Sequence, residues 1–361
     1  MQKRIAVIGC GGFIGSHLLR ALLAADYEVE GWDLDDHRIG DLLRHPRLTF
    51  HLHDYGDPDS LAALSKHSTV IQLAALCNPS LYNTEDLRVI ESNYLQPMRL
   101  AQVLAKSGTW LIYFSTSEVY GRTISSVASD VGLDVSGHGD SADTLHEDST
   151  PLVLGPVGAR RWSYACAKQL TERSLVALQV SDQLEWTVVR PFNFLGPAMD
   201  YIPGIDGNGV PRVLACFMDA LLHGRPLELV DGGTARRCFT WIGDAVEAVM
   251  AILANHDKSL HQCFNIGTPE NEISMADLAF RLHTLFCEVN RLPVCELKQR
   301  KISGLEFYGP GYEDSDRRLP DVSKAKELLD WSASTSLDDT LRKTLQWYVT
   351  HYQNHDIRSQ L

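Results

Sequence analysis

The first thirty-three residues limit the possible folds more than any other part of the chain. "RIAVIG" (4–9) is an apolar run of strand length, "GCGGFIG" (9–15) follows it, and "FIGSHLLRALLAAD" (13–26) repeats apolar residues at helical spacing. Gly9, Gly12 and Gly15 form a G-x-x-G-x-x-G pattern, with Phe13 and Ile14 inside it. Glycine at such a junction keeps the turn tight and lets a pyrophosphate reach backbone N–H groups at the helix N-terminus. "YEVEGWD" reads as the next strand and ends on Asp33, 18 residues after Gly15. That is near the spacing of a carboxylate that grips an adenosine ribose. An acid there repels a 2′-phosphate and favours NAD over NADP.

Further strands are expected at "LTFHLHD", "TVIQLAA", "WLIYFST" and "WTVVRPF", with helical patterns between them. Such alternation implies an α/β, Rossmann-type, doubly wound parallel sheet. Residues 122–150 are rich in Ser, Gly and Asp and read as a long loop. Beyond Pro191 the chain becomes turn-rich. This predicts an NAD-binding domain over 1–190 with a return segment about 236–266. A smaller C-terminal substrate-binding lobe is expected from 191–235 and 267–361. Asp54 and Tyr55, after the third strand, are positioned to hold an adenine. The small residues of Leu73-Ala74-Ala75 suit a flat nicotinamide against backbone.

Bulk properties exclude several classes. A formal charge of −13 over 361 residues, with no basic stripe, argues against nucleic-acid binding. Any anionic substrate then needs a local basic pocket. The eight cysteines are scattered without metal-ligand spacing, so no metal site is expected and a reducing cytoplasm is the simplest setting. No signal-peptide pattern and no 18-residue apolar span appears, so no membrane segment is expected.

"YFSTSEVYG" (113–121) puts Thr116, Ser117 and Glu118 at a strand's carboxyl end, where open α/β sheets hold their ligands. In "RRWSYACAKQ" (160–169) Tyr164 and Lys168 lie one helical turn apart and share a face. A tyrosine with an ordinary pKa near 10 is a poor base at neutral pH. A nearby ammonium and an oxidised nicotinamide would favour the phenolate. Tyr-x-x-x-Lys is common by chance, and it gains weight from the fingerprint and the Ser/Thr-rich strand end ahead of it.

With these motifs the chain resembles the extended short-chain dehydrogenase/reductase (NAD-dependent epimerase/dehydratase) superfamily. "STSEVYG", "GPVGARRWSYACAKQLTER", "LVDGGTARRCFTWIGDAVEAV" and "YGPGYEDSDRRLPDVSKAKELLDW" are similar to the UDP-glucuronic acid decarboxylases, including those of the UDP-apiose/UDP-xylose synthase type. The resemblance implies an NAD enzyme that acts on UDP-glucuronic acid through a 4-keto intermediate, as a homodimer. Tyr164 would take the 4-OH proton, Lys168 would tune it and hold the nicotinamide ribose, and Thr116 and Ser117 would bond the reacting hydroxyl. Glu118 and Arg318 match an acid/base pair for decarboxylation. Tyr82, Arg161, Asn193, Arg212, Arg237 and Tyr312 match substrate positions, and Asn93 joins the cofactor set.

Two departures stand out. Apiose-forming relatives carry a cysteine where this chain has Ser117, while Cys77 is kept. Glu228 stands where the family usually has lysine. The alternatives are a UDP-sugar 4-epimerase or dehydratase, and, outside enzymes, an NAD-sensing binding protein.

Overall fold

The computed structural model describes residues 4–78, 81–82, 84–130, 132, 143–207, 210–309 and 313–352. Seven strands form one parallel sheet: β1 (Arg4–Ile8), β2 (Glu28–Asp33), β3 (Leu48–Leu52), β4 (Thr69–Gln72), β5 (Trp110–Phe114), β6 (Trp186–Pro191) and β7 (Gln262–Ile266). Their spatial order is β7-β6-β5-β4-β1-β2-β3. Alternating residues of β1 enter different cores. Ile5 and Val7 pack on one face, Ala6 and Ile8 on the other, as the two-residue period of a strand requires. Burial on both faces explains why β4 ("TVIQ") and β5 ("WLIYF") are buried throughout rather than alternating with solvent.

The helix α1 (Phe13–Ala24) buries Leu18, Leu19, Leu22 and Leu23 in one core. On the opposite face α2 (Ser163–Asp182) packs beside the helix Gln96–Ser107. The chain winds outward from β1 to β3, then crosses to β4 on the other side of β1. The strand order reverses at that point, and the crevice outside the carboxyl ends of β1 and β4 is where such sheets bind ligands.

The strand Arg236–Cys238 lies in a separate four-stranded sheet with 272–274, 317–320 and 144–145. The chain rejoins the large sheet only at β7. Within the small sheet Arg236–Cys238 pairs in parallel with Arg317–Pro320, and Arg237 stands directly opposite Arg318. The helix Ser323–Leu329 packs back on β7 and on the helix Ile242–Ala254. The stretch 122–150, expected as loop, contains the short helix Ile124–Asp130 and the strand Thr144–Leu145; residues 131 and 133–142 lie outside the described residues. Among the described residues no helix is long and apolar enough to cross a membrane, and no cluster could hold a metal ion.

Candidate active site

At the β1–α1 junction the glycines are dictated by space. Gly9 has φ +85°, and a Cβ there would lie 2.6 Å from the Ala74 nitrogen. A Cβ on Gly15 would meet the Gly9 oxygen at 2.0 Å, and one on Gly11 would meet the Asp35 oxygen at 1.9 Å. Gly12 is the N-cap of α1, with no side-chain cap and no acidic residue in the first turn. The positive end of the helix therefore faces nothing of its own. Asp33 ends β2, and its carboxylate accepts from the backbone N–H of Gly11 (2.7 Å), Leu34 (2.7 Å) and Asp35 (3.2 Å). Burial raises its pKa, and those N–H groups pull the other way. Gly11 is absent from the three-glycine reading, although the doubled glycine of "CGGF" marks it. These residues fit an adenine dinucleotide: a tight turn, an uncapped helix end and an oriented carboxylate.

The remaining positions expected to serve the cofactor are arranged in two layers. Phe13, Ile14, Leu73 and Ala75 line a cavity of about 470 Å³. Ala74 packs by its backbone against Gly9 and accepts from the Gln72 side chain at 2.7 Å. Tyr55 is buried among core residues with its hydroxyl 3.3 Å from the Gln72 amide, and Asp54 accepts from the Gly56 N–H at 2.8 Å. Asn93 is fully buried and donates to the carbonyls of Leu76 (3.0 Å) and Val89 (2.8 Å).

The same cavity is lined by Cys77, Tyr82, Thr116, Ser117, Glu118, Arg161, Tyr164, Lys168, Asn193, Arg212, Arg237 and Arg318. Tyr164 is buried with its ring stacked on Tyr82 (centroids 5.0 Å apart, planes at 9°). Burial drives its pKa well above the ordinary value, Cys77, Glu118 and Tyr113 add to this, and a hydrogen bond with Thr116 opposes it. Lys168 Nζ is fully enclosed and donates to the Phe114 carbonyl at 2.8 Å. Its pKa is lowered to about 7 by burial. Lys168 thus lies one helical turn from Tyr164 with its amine turned to a strand-end carbonyl. Ser115, beside these groups, has a buried hydroxyl with no partner in the protein. Such a hydroxyl costs about 1–3 kcal/mol unless a ligand satisfies it.

Next to Tyr164 lies a buried ionic cluster. Glu118 accepts from Arg161 Nη1 at 2.6 Å and lies 3.5 Å from Arg318 Nη1. Asp314 accepts from Arg318 Nη2 and from Arg237 Nη2, each at 2.7 Å, and lies 3.9 Å from Arg161. Arg161 and Arg318 are 3% and 5% exposed, and the Nε of each is buried without a partner among the described residues. Burial alone would raise the Glu118 pKa, but Arg161 and Arg318 together hold it below the ordinary value. The guanidiniums of Arg161, Arg237 and Arg318 and the carboxylates of Glu118 and Asp314 are thus brought together beside Tyr164. Asp314 went unread in the sequence, where it is one acid among several in "YEDSDRR".

Other expected substrate contacts are placed more loosely. Arg212 lines the far end of the cavity and is engaged by Asp200 (3.1 Å) and the Met199 carbonyl (2.6 Å). Asn193 has φ 43° and donates to the Cys238 carbonyl at 3.2 Å. Glu228 lines the cavity and is ion-paired with Arg300. Tyr312 lies outside the described residues.

A dinucleotide cradle at the switch point, with a buried tyrosine and lysine across the crevice, defines a nucleotide-dependent α/β enzyme. The chain belongs to the NAD dependent epimerase/dehydratase family, which it matches over residues 5–267. It is 42% identical to UDP-D-apiose/UDP-D-xylose synthase 1 of Arabidopsis thaliana, across 96% of this chain and 92% of the relative. It is 41% identical to UDP-D-apiose/UDP-D-xylose synthase of Oryza sativa subsp. japonica, across 97% and 90%. Among solved structures, the PbgP3 protein from Burkholderia pseudomallei superposes with a TM-score of 0.82 at 29% identity over the whole of both chains. A UDP-glucuronic acid 4-epimerase from Bacillus cereus, crystallised with UDP-glucuronic acid and NAD, shares the fold with a TM-score of 0.77 at 22% identity, over 97% of this chain and 100% of the other.

Proposed function

We propose that this enzyme decarboxylates UDP-glucuronic acid oxidatively through a UDP-4-keto intermediate, giving UDP-xylose, UDP-apiose or the UDP-4-ketopentose. The observation that carries the reading is the buried ionic cluster beside Tyr164, in which the guanidiniums of Arg161 and Arg318 flank Glu118. A glycosyl carboxylate finds planar guanidinium forks of matching geometry here, whereas a neutral hexose has no use for two buried arginines beside the reacting tyrosine. The names of the plant relatives support the same substrate class.

Bound NAD supplies the two-electron acceptor that oxidation of a secondary alcohol needs. Tyr164 receives the 4-OH proton, and Thr116 and Ser117 orient the hydroxyl. The enclosed Lys168 amine would hold the nicotinamide ribose. A ketone at C4 makes the C6 carboxylate that of a β-keto acid, so electrons freed by loss of CO2 flow to the carbonyl. Arg161 receives the carboxylate. Glu118, ionised in the free site, takes up a proton from water when the substrate draws Arg161 away and its pKa rises, and it donates that proton to C5 of the enolate left by CO2, with Arg318 alongside. Tyr82 covers the ring, Arg237 and Arg212 serve the diphosphate side, and Cys77 lies at the sugar.

The enzyme is further proposed to be a homodimer. On α2, Cys166, Leu170, Arg173, Ala177 and Val180 are all exposed and follow a 4-3-4-3 spacing, a helix-pairing seam with nothing covering it. Leu170→Glu combined with Val180→Glu should halve the mass seen by light scattering; an unchanged mass removes this face from the interface. Eight free thiols suit a reducing cytoplasm.

The function is tested by incubating the protein with UDP-glucuronic acid labelled at C6 and NAD, following labelled CO2, and identifying the products by NMR. Epimerised UDP-sugar without CO2 would favour the 4-epimerase reading instead.

A further inference from the structure

We propose that Cys287 and Cys295, with His283 between them, form a reversible disulfide site that responds to hydroperoxides and ties a strand of the cavity wall to the helix behind it. The site is independent of the sugar the enzyme takes.

A helix period and a reversed turn bring the pair together. His283 and Cys287 are four residues apart on the helix Met275–Asn290 and share a face. The helix stops at Arg291 in the left-handed conformation (φ 56°), and the Leu292 N–H donates back to the Cys287 carbonyl at 2.8 Å. That reversal lays Cys295 over the last turns of the helix. Its sulfur and the sulfur of Cys287 each lie 3.8 Å from one atom, His283 Nε2. The two sulfurs are therefore no more than twice that distance apart, and the Cys287 thiol faces both the Cys295 sulfur and the Cys295 backbone N–H. Cys295 is exposed, so its side chain can turn towards the buried partner.

The three groups differ as the chemistry requires. Cys295 meets solutes, while Cys287 is 4% exposed and burial raises its pKa. Burial also lowers the His283 pKa, so the imidazole is neutral near pH 7; protonated at Nδ1, it accepts a thiol proton at Nε2. His283 takes the Cys295 proton, and the thiolate attacks the hydroperoxide. An S–O bond forms, the O–O bond breaks, and the proton passes to the departing hydroxide or alkoxide. Cys287 then attacks the sulfenic acid: the S–S bond forms, the S–O bond breaks, and the Cys287 proton leaves with hydroxide as water. The two thiols lose two electrons and the hydroperoxide gains them. Thiol reductants reopen the bond by exchange, which is how disulfides serve in a reducing compartment.

From Cys295 the chain enters the strand Gln299–Ile302, which pairs in parallel with Leu227–Val230. Glu228, Leu229 and Val230 line the cavity, as does Met275 at the start of the helix. His283, Cys287 and Cys295 do not line it. The disulfide would thus join two elements of one wall from behind, leaving the reacting groups untouched.

The test treats the NAD-loaded enzyme with one equivalent of hydrogen peroxide, then alkylates and digests it with trypsin. Arg281, Arg291 and Lys298 bracket the cysteines, so 282–291 and 292–298 are released as separate peptides unless a disulfide joins them. The joined pair should be the main oxidised product and should disappear after dithiothreitol. On oxidation, amide exchange over 227–230 and 299–302 should slow by at least about threefold, and Cys295→Ser should abolish both effects. His283→Asn should slow formation of the joined pair by at least about tenfold. Sulfinic acid at Cys295 without the joined pair, or Cys295 joined to a different cysteine, overturns the inference. A joined pair that leaves exchange unchanged, or forms as fast in His283→Asn, overturns it too. The peptide map needs no variant, so it stands even where His283→Asn fails to fold.

Discussion

Replacing Asp33 by alanine tests the cofactor cradle with the least ambiguity, because what is lost can be counted. The carboxylate holds three backbone N–H groups at 2.7–3.2 Å, one of them on Gly11 within the glycine turn. A ribose hydroxyl would use the lone pair left over, and a hydrogen bond to a charged group is worth about 1.5–3 kcal/mol. The affinity for NAD should therefore fall by about 10- to 150-fold. The loss should appear equally with ADP-ribose, which lacks the nicotinamide, and should spare UDP binding at the other end of the cavity. The pH dependence has a definite sign. The ionised carboxylate is the form that accepts from the ribose while keeping its three N–H bonds, and burial raises the Asp33 pKa. NAD affinity should accordingly decline, as pH falls, at a less acidic pH than an ordinary aspartate would give, and this dependence should vanish in Asp33→Ala. Titration calorimetry across the acid range measures both effects. An unchanged affinity at pH 7, or a mutant with the same pH dependence as wild type, refutes the assignment of Asp33 to the ribose.

Tyr164→Phe should retain NAD binding and lose turnover, since this phenol is the one that shares a hydrogen bond with Thr116 and a helix face with Lys168; substantial remaining activity would make the residue structural. Glu118→Gln should still reduce NAD in the presence of UDP-glucuronic acid, read at the NADH absorbance, while CO2 release falls steeply. Parallel loss of both would assign Glu118 to substrate positioning. Ser117→Cys should raise the apiose fraction of the product and Cys77→Ala should remove it, because a thiol with pKa near 8.5 moves protons near neutrality and a serine hydroxyl does not. Wild-type enzyme giving mostly UDP-apiose would defeat that argument.

The large sheet was readable because its strands are short apolar runs closed by turn signals. All six strands expected from the sequence are present, and the seventh, "QCFNI", is the return of the chain at β7. The small sheet was not readable. Its strands are two to four residues long, and "RRC" and "RRLP" carry charge where a core strand would carry valine. Their pairing depends on contacts some eighty residues apart in sequence, which no local pattern encodes. The site divides the same way. Tyr164, Lys168 and the Ser117-Glu118 pair announce themselves by spacing. Asp314 becomes visible only when Arg237 and Arg318 are side by side, and Ser115 only when its hydroxyl is seen to lack a partner.

The strand pairing of Arg237 with Arg318 also bears on how the enzyme is made. Glu118 leaves the ribosome two hundred residues before Arg318. Until the last segment is synthesised and its strand is added beside Arg236–Cys238, the carboxylate has Arg161 alone for company. The nucleotide cradle, by contrast, is complete within the first seventy-five residues. A ribosome that stalls, or a protease that clips the chain before residue 314, leaves a protein with its cofactor residues intact and half of its acid-handling residues missing. Such fragments also lack Leu341, Leu345 and Tyr348 of the helix Leu337–Tyr352, which are buried in the same core as α1, so the fold closes only once that helix is in place.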